Sequence, residues 1–501
     1  MARIDGIISG FDTEALVKAS VASYQSQIDR LNKKNTLLSW QKTRYTDIYK
    51  KIDAFRNKVF NYKLDSTLKP KIATSADTSK VKATANANAA TGTHTIDVTQ
   101  LAEGAQTGSQ QSLGSTGNKA SLITQFASNS NMPSSSFTMD INGKTINVDP
   151  NKSIYELVNS INKSGAGVTA SYDANVDRMF ITANDTGAAA KINFSANTTG
   201  SDGEVFLSKV LNFNDNTGAK NLMAPVVGQD AIFELDGVPN LRQSTNTFEI
   251  SGITYELQGT GTTTVQVTND PDALFKTIKT FVDDYNAMLE DVNDIIYEQK
   301  YKGFEPLTDE QRAGMTESEI KEWEEKAKSG ILARDPMLMS LVTSMRTAIY
   351  TPIQGGDKKY NGLFAIGLKT GDYQTNGKVI IDEDKLKAAI AANPDAVASI
   401  FNGGTDRNGN KTKGVADSLY DNLKVGMDKL QAQAGAASGS NDVNSAIAKE
   451  VARNNKSITA KIETMNLKMN MYYKKYDAME QLLQQLQNQQ SSLANYFGGN
   501  S

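Results

Sequence analysis

The sequence contains no cysteine and only one histidine, His94, among its 501 residues. Without cysteine the chain cannot form a disulfide, a thiolate nucleophile or a cysteine-based zinc site. A Ser–His–Asp triad would have to use His94, which lies in the alternating stretch GTHTIDV, and we interpret it as a half-exposed strand residue instead. We therefore expect no catalytic site, no cofactor and no metal, and we predict that the protein is not an enzyme.

Long apolar runs and an excess of positive charge are also missing. No stretch approaches the ~20 apolar residues of a transmembrane helix, and the mean hydropathy is −0.44. The first residues lack the charged and apolar regions of a cleaved secretion signal, so we expect a cytosolic protein unless export needs no cleaved signal. A net charge of −3 and a pI near 5.6 argue against a nucleic-acid partner.

One loop bears a superficial likeness to a calcium site, DRNGNKTKGVAD from Asp406. An EF-hand requires Gly at its sixth position and Glu at its twelfth, and Lys411 and Asp417 occupy those places. We interpret this stretch as a solvated loop.

Apolar residues recur at alternating spacings of three and four near both ends of the chain, which is the pattern of a coiled coil. Each stretch covers roughly 40 residues, or about 60 Å of helix. Asp12 is a suitable N-cap for the first helix. We predict that the two helices pair antiparallel with each other; the alternative is that both are core helices of a globular domain. The seam residues that we single out are Ile28, Leu31, Leu38 and Tyr45 in the first stretch and Ile462, Met469, Tyr476, Leu483, Leu486, Leu493 and Phe497 in the second.

The middle of the chain has the texture of β-structure. Asn142-Gly143 and Asp236-Gly237 are typical of the tight turns of β-hairpins, and Ser153 with Glu156 predicts a capping box at the start of a short helix. The stretch from residue 103 to 136 is rich in Gly, Ser, Asn and Gln, and we expect long loops with little order there.

These patterns predict an α+β multidomain protein with long terminal coiled-coil helices, a helical bundle and two β-rich modules inserted in mid-chain. We assign residues 1–40 and 460–501 to mobile terminal helical legs, 41–71 and 270–459 to a helical stalk, 72–136 and 228–269 to a first β-rich module, and 137–227 to an inserted second β-rich module.

Several stretches in the same order resemble the flagellar filament cap family, flagellar hook-associated protein 2. They include IDGIISGFDTEALV from Ile4, GTHTIDVTQLA from Gly92, AIFELDGVPNLRQ from Ala231, and IGLKTGDYQTNGKVIIDEDKLKAAIAANPDAVASIF from Ile366. Residues 137–195 resemble a small module of several flagellar axial proteins. The resemblance extends over nearly the whole chain.

The resemblance implies a structural protein that caps the tip of the bacterial flagellar filament and promotes insertion of flagellin. It implies export by the flagellar type III system without a cleaved signal, and assembly into a ring-shaped homo-oligomer, for which we expect a pentamer. The implied partners are flagellin, the hook-associated junction proteins and a cytosolic export chaperone on the helix around Met465 to Phe497, with neither nucleic acid nor membrane insertion.

Two glycine turns frame a short apolar hook at the N-terminus. As a hypothesis, this hook docks into neighbouring subunits at the filament tip and forms part of the export signal. Two alternatives to the cap stay open: a hook–filament junction protein, and a surface adhesin whose β-rich modules bind host glycans. Residues 228–300 and 304–401 favour the cap. The hook residues are Ile4, Gly6, Ile7, Ser9, Gly10, Phe11 and Asp12.

Overall fold

The computed structural model describes residues 10–115, 119–353, 359–371, 375–405, 409–436 and 442–498, with the backbone alone for 495–498. The chain divides into two compact units. The first, here the helical unit, combines Met1–Leu68 with Pro271–Ser501, and the second, here the sheet unit, is the continuous stretch Lys69–Asp270.

Helices account for most of the first unit and strands for most of the second. The α-helices are α1 (Thr13–Asn61), α2 (Asp65–Leu68), α3 (Leu122–Gln125), α4 (Ile154–Lys163), α5 (Asp202–Val205), α6 (Pro271–Ile296), α7 (Asp309–Ala313), α8 (Glu317–Lys328), α9 (Pro336–Tyr350), α10 (Glu383–Ala392), α11 (Pro394–Asn402), α12 (Val415–Ala434) and α13 (Ala446–Gly498). The strands are β1 (Lys71–Ser75), β2 (Val81–Ala85), β3 (Gly92–Gln100), β4 (Gln106–Gly108), β5 (Phe137–Ile141), β6 (Lys144–Val148), β7 (Val168–Asp173), β8 (Arg178–Ala183), β9 (Lys191–Ile192), β10 (Val226–Val227), β11 (Ala231–Leu235), β12 (Val238–Gln243), β13 (Thr247–Ile250), β14 (Ile253–Leu257), β15 (Gly261–Asn269), β16 (Leu368–Thr370) and β17 (Val379–Ile381).

The core of the helical unit is a bundle formed by α6, α9, α10, α11, α12 and the second half of α1. Ile52 of α1 and Phe281 of α6 are among its fully buried side chains. Helix starts follow local chemistry: α6 and α9 both begin at a proline, whose fixed φ suits the first helical position. The bundle provides the firm support from which the terminal helices extend.

The two terminal helices are much longer than the bundle. At 49 and 53 residues, α1 and α13 measure about 73 Å and about 80 Å. The bundle core includes α1 from Tyr45 onward, but at its near end α13 contributes only Ile447, with Val451 packed against it. The first half of α1 and most of α13 therefore lie outside the bundle core. No helix in the described ranges is both long and apolar enough to cross a membrane.

The first core of the sheet unit lies between a five-stranded antiparallel sheet, in the order β1-β15-β3-β11-β12, and a three-stranded sheet, β13-β14-β2. Phe233 of β11 stacks on Phe248 of β13 with ring centroids 4.6 Å apart. The predicted turn at Asp236-Gly237 is confirmed: both residues have positive φ, 51° and 81°, as a hairpin of this type requires.

A second core in the same unit is enclosed by the sheet β4-β8-β7, the hairpin β5-β6, α4 and the segment around α5. The hairpin turns at Asn142 and Gly143, with φ of 54° and 77°. The predicted capping box is also confirmed, since Ser153 Oγ accepts from the Glu156 backbone N–H at 3.3 Å and Glu156 Oε2 accepts from the Ser153 N–H at 3.0 Å.

The expectation of long, poorly ordered loops over residues 103–136 needs correction. β4 pairs with β8, and Leu113, Leu122 and Phe126 are buried in the second core. The Asp177 carboxylate fastens the loop by accepting from the Gly114 N–H at 2.7 Å and the Ser115 N–H at 3.2 Å. This stretch therefore packs with the second core, which begins at Ala105, and not with the first β-rich module to which we assigned it. Its few apolar anchors are scattered among polar residues, so no periodic signal marks them.

Candidate assembly surface on the terminal helices

Helices α1 and α13 pack against each other and run antiparallel. Lys34 Nζ donates to Glu450 Oε1 at 2.5 Å, and Lys461 Nζ donates to Gln27 Oε1 at 2.5 Å. Residue numbers therefore fall along α1 as they rise along α13. The antiparallel pairing predicted for the two terminal helices is confirmed.

A polar contact interrupts the apolar seam between these helices. Asn35 Nδ2 donates to Asn455 Oδ1 and Asn454 Nδ2 donates to Asn35 Oδ1, both at 2.8 Å. Asn454 is 6% exposed, so its amide depends on this partner. Sliding either helix by one turn would leave buried amide groups unpaired, and a polar pair in a coiled-coil seam fixes register for this reason.

Charge reinforces the same register at the end of α13 nearest the bundle. Hydrogen bonds from the Arg453 and Lys34 side chains lower the pKa of Glu450 to about 2 from an ordinary value of 4.5. The contact lies at the surface, so salt screens it and it contributes little on its own.

Tyr45 ties α1 to the bundle at the point where the helix leaves it. Tyr45 OH donates to Asp335 Oδ2 at 2.6 Å, while Asp335 Oδ1 accepts from the N–H groups of Met337 and Leu338 and so caps α9. Burial, together with the neighbouring carboxylate, raises the pKa of the Tyr45 hydroxyl. The Asp335 carboxylate thus accepts hydrogen bonds from the first N–H groups of α9 and also holds α1 through Tyr45.

The predicted seam residues differ in their surroundings. Ile28 is buried where α1 and α13 meet, whereas Tyr45 is buried in the bundle core. Leu31, Leu38, Met469, Tyr476 and Leu483 are half-buried, Ile462, Leu486 and Leu493 are exposed, and the Phe497 side chain lies outside the described residues.

The predicted seam did not include two core residues of α1, Ile48 and Phe55. The buried row in this half of the helix is Tyr45, Ile48, Ile52, Phe55 and Val59, which itself keeps alternating steps of three and four. In this half α1 belongs to the bundle core, where α12 and α6 pack against it.

The far end of α13 presents apolar side chains to solvent. Leu482, Leu486 and Leu493 are 57%, 52% and 58% exposed. Extending the register of the Gln27–Lys461 contact places Thr13, the first residue of α1, opposite about residue 475 of α13. These leucines therefore lie beyond the start of α1.

Part of the N-terminal hook can be located. Asp12 is the N-cap of α1, since its Oδ1 accepts from the Ala15 N–H at 2.8 Å, as predicted. Gly10 has a φ of 70°, which suits glycine at a sharp turn, and Phe11 is 57% exposed. Ile4, Gly6, Ile7 and Ser9 lie outside the described residues.

A groove of about 1820 Å³ runs beside the helix pair, between α1, residues 305–312 and residues 465–473 of α13. We call it the leg groove. The segment 305–312 is held near α1 by an ion pair from Lys33 Nζ to Glu305 Oε2 at 3.6 Å, and Trp323 Nε1 donates to the Glu305 carbonyl at 2.8 Å. Nothing in the sequence patterns predicted this groove, because its two sides are almost 300 residues apart.

The single histidine has a structural setting. His94 lies on β3, as predicted, and its Nδ1 is 2.7 Å from Asp236 Oδ2 at the tip of the β11–β12 hairpin. Within the described ranges no group of His, Asp and Glu side chains has the arrangement of a metal site.

Comparison with known proteins matches both ends of the chain. A family model described as the flagellar hook-associated protein 2 C-terminus matches residues 228–488, the corresponding N-terminus model matches residues 9–105, and a flagellin hook IN motif matches residues 136–185. The chain belongs to the flagellar hook-associated protein 2 family. The resemblance inferred from its motifs is confirmed.

Individual members of the flagellar hook-associated protein 2 family match over the full length. The protein from Halalkalibacterium halodurans is 29% identical, with 99% of each chain covered. The protein from Escherichia coli K12 is 22% identical, covering 99% of this chain and 98% of its own. The D1-D2-D3 domains of the flagellar cap protein FliD from Escherichia coli share the fold, with a TM-score of 0.52 at 21% identity over 77% of this chain and 99% of that one.

The Asn35 contact predicts a specific loss of register. Asn35→Ala leaves the Asn454 amide buried without its partner, and we expect the opening free energy of the helix pair to fall by about 2 kcal/mol. Hydrogen exchange of α13 amides would measure this. Asn32→Ala, at an exposed position on the same helix, is the matched control. It should change the opening free energy by less than about 0.5 kcal/mol. Equal effects of the two substitutions would contradict the register role.

Glu450 predicts a pH dependence of the same helix pair. Because its pKa is lowered in the folded protein, its stabilising contribution is present above the ordinary value of 4.5 and is lost as pH falls toward 2. The difference in hydrogen-exchange protection between the wild type and Glu450→Gln should therefore shrink from pH 5 to pH 2. Glu463→Gln, at an exposed position on the same helix, is the matched control and should change the protection little. A Glu450→Gln difference that grows on acidification would rule this out.

Proposed function

We propose that this chain caps the tip of the bacterial flagellar filament and promotes the insertion of flagellin there. The observation that carries the proposal is the exposed apolar end of a long helix, in a chain whose family is flagellar hook-associated protein 2. Leu482, Leu486 and Leu493 gain free energy only when another surface covers them. In a ring at the growing filament tip, a neighbouring copy of the chain offers such a surface.

The size of this gain suits a cap that must let subunits pass. Complete burial of a leucine side chain is worth about 1.5–3 kcal/mol. Covering the exposed half of one of these leucines therefore contributes roughly 1 kcal/mol. Three such side chains provide a weak contact in one subunit. A ring that repeats the contact holds firmly as a whole, while each subunit can release and rebind.

Methionine on the leg adds adaptability. Met465 and Met469 are half-buried beside α1, and Met471 and Met479 follow on the same helix. An unbranched thioether side chain repacks easily against different neighbours. The leg can therefore hold successive flagellin subunits without one fixed interface, and the work is done by changing contacts, with no chemical step.

The finer assignments follow from the same surface. We propose a ring-shaped homo-oligomer, with a pentamer as the expected number, which contacts flagellin and the hook-associated junction proteins. Before export through the flagellar type III system, a cytosolic chaperone would cover the exposed leucines of α13. Its binding would keep that apolar stripe from premature association.

A deletion strain tests the capping role. Replacing Leu482, Leu486 and Leu493 together by Ser should leave the chain secreted, but flagellin should accumulate unassembled in the medium and motility halos should shrink severalfold, because the leg loses its apolar contact. The matched control is Asn470→Ala with Lys474→Ala, at exposed positions of the same helix before that stretch. Full motility and normal filament length in the triple variant would contradict the proposal.

The N-terminal hook has a separate test. Deleting residues 1–12 should abolish secretion or tip attachment while the sheet unit stays folded, because that unit is a continuous stretch with its own cores. Secretion is measured by immunoblotting of the medium and folding by circular dichroism of the purified chain. If the chain without residues 1–12 is secreted and caps filaments normally, the hook assignment is wrong.

A further inference from the structure

The leg groove is lined by two walls of opposite charge. Along α1 the lining includes Lys18, Arg30, Lys33 and Lys34, which outnumber Glu14 and Asp29. Across from α1 the lining includes Glu305, Asp309 and Glu310, with Arg312 as the only basic residue among those of this segment that line it. Apolar side chains complete the lining, among them Val21, Leu31, Leu307, Met465 and Met469.

The far end of α13, in contrast to the charged groove, has no charged side chains. Residues 481–494 contain no acidic, basic or histidine residue, and they include six glutamines. Leu482, Leu486 and Leu493 follow one another at spacings of four and seven, so they form one apolar stripe along this helix, and all are more than half exposed.

We propose that the leg groove of one copy of this chain receives residues 481–494 of α13 from a second copy. A side-chain amide both donates and accepts, so glutamines can hydrogen-bond to the basic wall and to the acidic wall at once. A helix with charges of one sign would be repelled by one of the walls. The leucine stripe would meet the half-buried side chains of Leu31, Met465 and Met469.

The dimensions agree with this occupant. The stretch of α1 from Glu14 to Leu37 that lines the groove is about 35 Å long, and residues 481–494 form about 21 Å of helix.

The register of α1 against α13 requires that residues 481–494 in the groove come from another molecule. Ala22, in the middle of the groove, lies opposite about residue 466 of its own α13, and Leu486 is about 30 Å farther along the same continuous helix. A groove and a stripe at different places on one chain make a head-to-tail contact, which closes into a ring when the rotation permits. The inference thus rests on the proposed ring and names the contact that would form it.

The absence of cysteine allows a direct test with the full chain. Ala22→Cys and Leu486→Cys are prepared as separate variants with different tags, mixed, and oxidised. We expect a disulfide-linked heterodimer at about ten times the yield of a control mixture of Ser39→Cys with Leu486→Cys, since Ser39 is exposed on α1 beyond the groove. Circular dichroism and hydrogen exchange check that each variant is folded.

A second measurement identifies the occupant. A benzophenone attached to the introduced thiol of the Ala22→Cys variant is irradiated in a mixture with isotope-labelled wild-type chain, and the cross-linked peptides are read by mass spectrometry. Labelled peptides from residues 481–494 support the proposal. Attachment to residues 1–9, or only to unlabelled peptides of the same chain, or the same heterodimer yield as the Ser39 control, would overturn it.

Failure of this contact is distinguishable from failure of the cap. If the wild-type chain retains flagellin on the filaments of a deletion strain but the mixed variants give no excess heterodimer, the contact is wrong and capping stands. If the wild-type chain does not retain flagellin, the proposed function is wrong whatever the cross-linking yields.

Discussion

The antiparallel contact between α1 and α13 is the constraint on which the assembly surface depends. Outside the bundle these two helices pack on each other, and the Asn35–Asn454 amide pair is satisfied in one register. That register decides which apolar residues are covered and which, such as Leu486, stay exposed. The link from Tyr45 to Asp335 then holds the pair to the bundle, so the exposed stripe projects from a supported base.

One edge of the five-stranded sheet is poorly suited to pairing with another strand. The five-stranded sheet ends at β12, which carries Pro239 and a positive φ of 58° at Asn240. Proline removes a backbone donor and the unusual φ disturbs the strand, so this edge is a poor template for another strand. Strand addition at β12 is thereby disfavoured.

Short-range chemistry made much of the fold predictable. Asp12 and Ser153 cap helices because a side-chain oxygen reaches an N–H two or three residues away, and Asn142-Gly143 adopts positive φ because a tight hairpin needs it. The terminal helices followed from the alternating spacing of apolar residues, and their antiparallel pairing followed from their places at opposite ends of the chain. The order of the motifs along the chain was sufficient to identify the family.

What the sequence by itself determined, then, was the two terminal helices and their pairing, the two hairpin turns, and the caps at Asp12 and Ser153. Only the tertiary structure decided that Ile48 and Phe55 face the bundle, that Leu113 joins the second core, and that residues 305–312 form a groove with α1. These outcomes depend on partners far away in the sequence. A periodic pattern shows that a face is apolar, but the neighbours that compete to cover it determine where that face is centred.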